Sequence, residues 1–305
     1  MSRCLRKRPA YVWSVSELDS KKRTFIQAAA AFLQNAHITG FFTGKIYDGA
    51  GKNICVPGLN CYSCPGALGA CPIGSLQNAV TAWKFKFPCY VLGLMIFFGA
   101  AFGRLICGFL CPFGFLQDLL FKVPVPKKLR SFRGDAQLRY LKYAVLFIMV
   151  LILPFAHKFT PVYCKYLCPS GTLSGILLSA ADSRLRSLFG WIFTWKAVVL
   201  TAVVLTSMAV FRPFCKYLCP LGAFYALFNR VSAVRLKVDG EKCVRCGVCA
   251  RVCDMAVNPV ISPNHPECIR CGQCVRCCPH EAIGFTFASK PIRGKALAEN
   301  QKKPK

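Results

Sequence analysis

Two consecutive cysteine runs constrain this chain more than any other feature. Cys243-x2-Cys246-x2-Cys249-x3-Cys253 is followed by Cys268-x2-Cys271-x2-Cys274-x3-Cys278-Pro279. Two-residue gaps let three thiolates on one short loop converge on a compact inorganic core, and the fourth ligand then comes from the other run. The spacing assigns Cys243, Cys246, Cys249 and Cys278 to one [4Fe–4S] cluster and Cys268, Cys271, Cys274 and Cys253 to a second. Zinc frames do not use two such runs in succession, and disulfides are not expected on a reducing cytoplasmic side. Asp254 stands where a proline would commonly follow the first run.

Composition narrows the class further. The 305 residues include 21 cysteines, and 40 Lys and Arg against 12 Asp and Glu give a formal charge of +28, yet 54% of residues are hydrophobic. A disordered basic tail is not this apolar. A soluble nucleic-acid binder does not carry long uncharged runs, and a disulfide-stapled secreted domain is far shorter. Four stretches are candidate membrane spans: 24–43, 87–103, 143–157 and 187–211, the last interrupted only by Lys196. A span needs about 20 residues, which makes the third short. The first is the weakest, because Gln27, Gln34, Asn35 and His37 lie in it. Seven Lys and Arg precede the first stretch and eight, among them Arg104, Arg139 and Lys142, lie between the second and third; the other two loops hold four each. The excess of cations marks the cytoplasmic side, so both termini are expected there.

Three copies of Cys-x3-Cys-Pro recur: Cys107–Cys111–Pro112, Cys164–Cys168–Pro169 and Cys215–Cys219–Pro220. A divergent fourth is Cys64-Pro65 with Cys71-Pro72-Ile73-Gly74, to which Cys61 adds a CxxC. Two thiolates four residues apart on a helical turn share a face, and the proline can open the next helix at its first position. One pair is half a cubane site, so two pairs must meet. The expected topology brings Cys107, Cys111, Cys215 and Cys219 to an inner-edge cluster. It leaves Cys61, Cys64, Cys71, Cys164 and Cys168 as candidates for an outer-edge cluster. Iron is the metal expected at all of these thiols.

The C-terminal runs resemble the bacterial two-cluster ferredoxin domain, which implies a small α+β fold for one-electron transfer. Over roughly 87–288 the chain is similar to the NapH and NosR type of membrane polyferredoxin, through its apolar stretches, its Cys-x3-Cys-Pro motifs and its terminal cysteine runs. That resemblance implies electron movement between a membrane donor and an extracytoplasmic acceptor.

The expected architecture is an all-α bundle of about four transmembrane helices with a C-terminal α+β two-cluster ferredoxin-like domain. Its parts are a basic cytoplasmic N-terminus (1–23), a transmembrane domain (24–235), a ferredoxin domain (236–289) and a disordered basic tail (290–305). The expected location is the cytoplasmic membrane of a prokaryote. The expected role is a non-catalytic electron-transfer subunit working with redox partner proteins or quinone among membrane lipids, with no nucleic acid. Two readings stand beside it: a quinol or thiol–disulfide oxidoreductase using the outer cysteines, and an assembly or structural subunit of a reductase complex.

Overall fold

The computed structural model describes residues 20–81, 89–126, 128–156, 160–181 and 190–287. Helices α1 (Ser20–Gln34), α2 (Thr39–Thr43) and α3 (Pro72–Thr81) precede α4 (Cys89–Phe102), α5 (Leu105–Phe109) and α6 (Pro112–Lys122). Next come α7 (Asp135–Leu138), α8 (Leu141–Ala144), a π-helical stretch Val145–Ile152 and α9 (Leu153–Ala156). Then follow α10 (Val162–Tyr166), α11 (Pro169–Ala181), α12 (Trp191–Ala209), α13 (Pro213–Tyr217) and α14 (Pro220–Phe228). The C-terminal part holds β1 (Val234–Val238), α15 (Val248–Arg251), α16 (Gln273–Arg276) and β2 (Ile283–Phe287).

This differs from the expected four-span bundle. Among the described residues only α12, 19 residues long, is long and apolar enough to cross a membrane. The first stretch breaks into α1 and α2, and its polar residues bond other elements. Gln27 Nε2 donates to the Gly108 carbonyl at 2.9 Å and Gln34 Nε2 to the Leu110 carbonyl at 2.7 Å. The second yields the 14-residue α4, which ends at Gly103. That residue has φ +54, and a Cβ there would sit 2.6 Å from Asn229 Oδ1. In the third stretch the α8–π–α9 run contains Pro154, which cannot donate to the helical ladder and disturbs it one turn back. The expected N-terminal segment before Ser20 and the tail after Phe287 lie outside the described residues.

Nor is a ferredoxin-like α+β domain shown. The C-terminal part is a two-stranded antiparallel sheet, Val234 opposite Phe287 through Val238 opposite Ile283, with two helices of four residues each. Its own core is small (Leu236, Cys249, Val275 and Ile283). Met255, Val257 and Ile269 are instead buried in the same core as the helices. The segment is thereby held by burial against the rest of the chain rather than by an interior of its own.

Buried ion pairs lock the helical part. Arg212, fully buried, grips Asp118 through Nε and Nη2, both at 2.6 Å, and Arg23 reaches the same carboxylate at 2.6 Å. Lys216 Nζ lies 2.6 Å from Asp135, which also accepts from the Tyr217 hydroxyl. Breaking a buried pair on one side strands the other charge. Asp118→Ala is therefore expected to destabilise the fold by about 3–5 kcal/mol, read as a lowered thermal midpoint. Asp239→Ala, which removes the exposed 3.9 Å pair with Lys242, is expected to change stability by less than about 1 kcal/mol; equal shifts would contradict the structural role of Asp118.

Candidate metal centres

The two C-terminal cysteine runs fold as two copies of one loop. In each, the residue before the second cysteine is left-handed (Arg245, φ 53; Arg270, φ 53), and so is the glycine after it (Gly247, φ 72; Gly272, φ 76). A further left-handed residue follows each fourth cysteine, Ala256 at φ 52 and Glu281 at φ 51. Such alternation turns successive backbone N–H groups into one concavity, a form of anion nest. The N–H of Val257 donates to Cys253 Sγ at 3.5 Å, and that of Ala282 to Cys278 Sγ at 3.3 Å. The first loop and Cys278 line an open cleft of about 320 Å³ that carries Cys243, Cys246, Cys249 and Cys278. The second lines one of about 420 Å³ with Cys253, Cys268, Cys271 and Cys274. Each run thus lends its fourth cysteine to the other's cleft. Asp254 is occupied elsewhere, 3.6 Å from Arg130, and burial raises its carboxyl.

Two Cys-x3-Cys-Pro motifs build a third cavity of about 310 Å³ lined by Cys107, Cys111, Cys215 and Cys219. The first cysteine of each pair lies in a short helix (α5, α13), the second caps the next one, and proline occupies its first turn. Cys111 Sγ accepts from the N–H of Gly114 at 3.4 Å and Cys219 Sγ from that of Gly222 at 3.3 Å. A helix start offers unpaired N–H groups and a positive dipole end, which suit a thiolate. Gln117 Nε2 donates to Cys215 Sγ at 3.1 Å, while its Oε1 accepts from the N–H of Phe214 at 3.2 Å.

Sequence reasoning missed the pair of arginines that straps this cavity. Arg104 and Arg212 each stand three residues before the first cysteine of a motif, and both are fully buried. Each reaches across to the other motif: Arg104 Nη2 donates to the Cys215 carbonyl at 3.2 Å, and Arg212 Nη1 donates to that of Cys107. The signal is legible as Arg-x2-Cys-x3-Cys-Pro, present twice, although by position alone Arg104 counts as a loop charge.

Of the remaining candidates, the structure brings Cys61, Cys71, Cys164 and Cys168 together. Cys164 lies within charge range of the other three. Gln77 repeats the role of Gln117: it sits six residues after Cys71, and its Oε1 accepts from the N–H of Cys164 at 3.3 Å. Cys64 and Cys61 both lie within charge range of Lys52, and Cys55 bonds Ser75 Oγ at 3.5 Å.

The sets form a chain. Cys249 lies within charge range of Cys274, which joins the first cleft to the second. Between the second and third, Gly108 packs so closely on Ile269 that a Cβ would sit 2.5 Å from its carbonyl oxygen. Beside that contact, Arg104 Nη1 pairs with Glu267 at 2.8 Å, and Lys142 holds the other carboxylate oxygen. Burial opposes the charge on Glu267, but the two cations hold its carboxyl down to about 2. Between the third cavity and the Cys61 set stand two buried phenols. Tyr163 is within charge range of Cys164 and Cys168 on one side and Cys219 on the other, and Tyr225 of Cys107, Cys111 and Cys71. The two sets expected at opposite membrane edges are therefore neighbours in one core.

The donor chemistry fits an iron–sulfur group. Among the described residues no three His, Cys, Asp or Glu side chains converge tightly enough to grip a single ion; the thiols instead ring voids. Burial pushes the Cys268 thiol up to about 11, so a thiolate there requires a cation beside it. Four thiolates around one void match the ligand set of a cubane cluster.

An outer donor such as Gln117 commonly changes metal retention by about 10–100-fold when removed. Gln117→Leu is expected to weaken iron retention against a chelator within that range, while the exposed Gln137→Leu leaves it unchanged; equal retention in both would remove Gln117 from the site.

Comparison with known proteins points the same way. A family described as a 4Fe-4S binding domain matches residues 90–132, 141–187 and 188–239, and each match contains one Cys-x3-Cys-Pro motif. The chain is 29% identical to the methylamine utilization ferredoxin-type protein MauN of Paracoccus denitrificans, over 58% of each chain. It is 28% identical to the putative electron transport protein YccM of Escherichia coli, over 49% of this chain and 41% of that one. It is also 28% identical to the regulatory protein NosR of Pseudomonas aeruginosa, over 50% of this chain and 20% of that one. The chain thus spans less than two thirds of these relatives' lengths. No solved structure matches it. With its repeated Cys-x3-Cys-Pro motifs inside matched 4Fe-4S segments, this chain is similar to ferredoxin-type electron-transport proteins of the NosR and MauN kind.

Proposed function

We propose that this protein is a relay that carries single electrons along a line of [4Fe–4S] clusters. The observation that carries the reading is the order of the cysteine sets. Cys246, at one end, is exposed. The chain then runs through the Cys253–Cys268 cleft and the Cys107–Cys219 cavity to the Cys61 set, which lies beside α12. The first two clefts meet where Cys249 and Cys274 share one small core, and each later set meets the next through backbone contact, a buried ion pair or a phenol. The exposed end is where a soluble redox partner would exchange electrons. The helix α12 anchors the protein in the cytoplasmic membrane of a prokaryote. Trp191 and Trp195, 83% and 49% exposed near its start, suit the membrane–water interface. A quinone or a second redox protein takes the electron at the buried end.

When bound, the clusters supply the electron-accepting iron. The chain supplies what surrounds it. It aims N–H donors at Cys111, Cys215 and Cys219 and places Arg104 and Arg212 across the third cavity, and it excludes water there. Positive charge and hydrogen bonds to sulfur favour the more reduced, more negative cluster and raise its potential. Two further thiols, Cys61 and Cys71, join the Cys164–Cys168 pair to make a set of four, which favours a relay over thiol–disulfide exchange.

The test is iron and acid-labile sulfide counting on anaerobically purified protein, with reduction followed by stopped flow using reduced methyl viologen. Four cubanes require about sixteen irons and two about eight. The expected result is about sixteen, with Cys111→Ser/Cys219→Ser losing about four and retaining fast reduction only at the C-terminal pair. About eight irons, unchanged in the double variant, would remove the Cys-x3-Cys sites from the relay.

A further inference from the structure

We infer that Lys196 is the counter-charge of an iron–sulfur site built by Cys61, Cys71, Cys164 and Cys168, an inference that rests on the reading of the Cys-x3-Cys pairs as cluster ligands. Lys196 is the one charged residue of α12, an otherwise apolar 19-residue helix. An ionisable residue in such a helix is costly and needs a partner. Leu200, Val203 and Ser207 are the buried residues of α12, and Lys196 precedes them by four, seven and eleven positions. Helical spacing therefore puts the charge on the face turned to the core.

What it meets there is sulfur. A Cβ on Gly171 would lie 3.6 Å from Lys196 Nζ and 3.7 Å from Cys61 Sγ, so ammonium and thiol share one corner beside this glycine. Cys164 and Cys168 both lie within charge range of the same ammonium. Gly74 marks the other side, its Cβ position 3.9 Å from Cys164 Sγ and 3.8 Å from Cys71 Cβ. Cys61, and not Cys64, is among the charges that weigh most on Cys71, Cys164 and Cys168, which leaves Cys64 outside the set.

The motif repeat explains why α12 must provide the charge. In two copies an arginine precedes the first cysteine by three residues; in the copy at Cys164 that position is Pro161. The arginines are neutralised by Glu267 and Asp118, whereas no carboxylate pairs with Lys196 among the described residues. Among the described residues its charge faces the thiolates. A cubane bound by four thiolates is an anion and gains another negative charge when it takes an electron, so a fixed ammonium beside it raises the potential.

The experiment is an EPR-monitored redox titration with iron counting on the anaerobic full chain, comparing wild type, Lys196→Met, Lys196→Arg, Cys61→Ser and Cys64→Ser. The expected result is a negative shift of one cluster's midpoint in Lys196→Met, or loss of that cluster alone, with Lys196→Arg near wild type. Cys61→Ser is expected to lower the iron by up to about four per chain, and Cys64→Ser to leave it. Full iron with every midpoint unchanged in Lys196→Met would overturn the role of Lys196. Loss of iron in Cys64→Ser but not in Cys61→Ser would overturn the ligand set. A wild-type count of about twelve irons would remove this site while leaving the Cys-x3-Cys reading intact at the third cavity, and a count of about eight would remove both.

Discussion

Buried thiolates are anions in a medium that does not tolerate unpaired charge, and this constraint organises the molecule. A cluster held by four of them stays negative, and its charge grows on reduction. The chain answers with fixed cations and with backbone N–H groups. The third cavity is crossed by Arg104 and Arg212, both fully buried, and each arginine has its own acid. Those acids tie separate parts together: Asp118 lies on α6, and Glu267 sits next to Cys268 in the C-terminal segment. The Arg104–Glu267 pair thereby also fastens the third cavity to the second cleft.

The same economy appears in the repeats. A proline in the first turn of a helix, a cysteine capping it and a glycine three residues on give a thiol its N–H donor without a dedicated side chain. A glutamine six residues after that cysteine then reaches the partner motif, as Gln117 does toward Phe214 and Gln77 toward Cys164. Two copies related in this way make one four-thiol cavity. The contacts between cavities are as short as the backbone allows, since Gly108 could not be any larger residue against Ile269.

How much of this was legible depends on the range of each interaction. The C-terminal thiols are close in sequence, so their spacing alone sorted them into the clefts where they lie. The helix starts at Pro112, Pro169 and Pro220 were equally local. The four-span reading failed because apolar length was taken for membrane length. Gln27 and Gln34, which looked like defects in a span, are the bonds that hold α1 to the first motif. The topology count failed for a related reason. Arg104 and Lys142 were read as loop cations, yet both are fully buried on Glu267. Lys196 was visible as an interruption, but nothing local in the sequence says that it meets Cys61 across Gly171. Long-range pairing of a charge with sulfur is invisible until the helices are packed.

The central claim is that sets of four thiols hold iron along one continuous line. Anomalous scattering at the iron edge, from crystals of the anaerobically purified protein, tests it most directly. The account predicts four compact iron peaks, one at the centre of each set, with the third framed by Cys107, Cys111, Cys215 and Cys219. Peaks confined to the two C-terminal clefts, with sulfur–sulfur bonds among the helical cysteines, would contradict it.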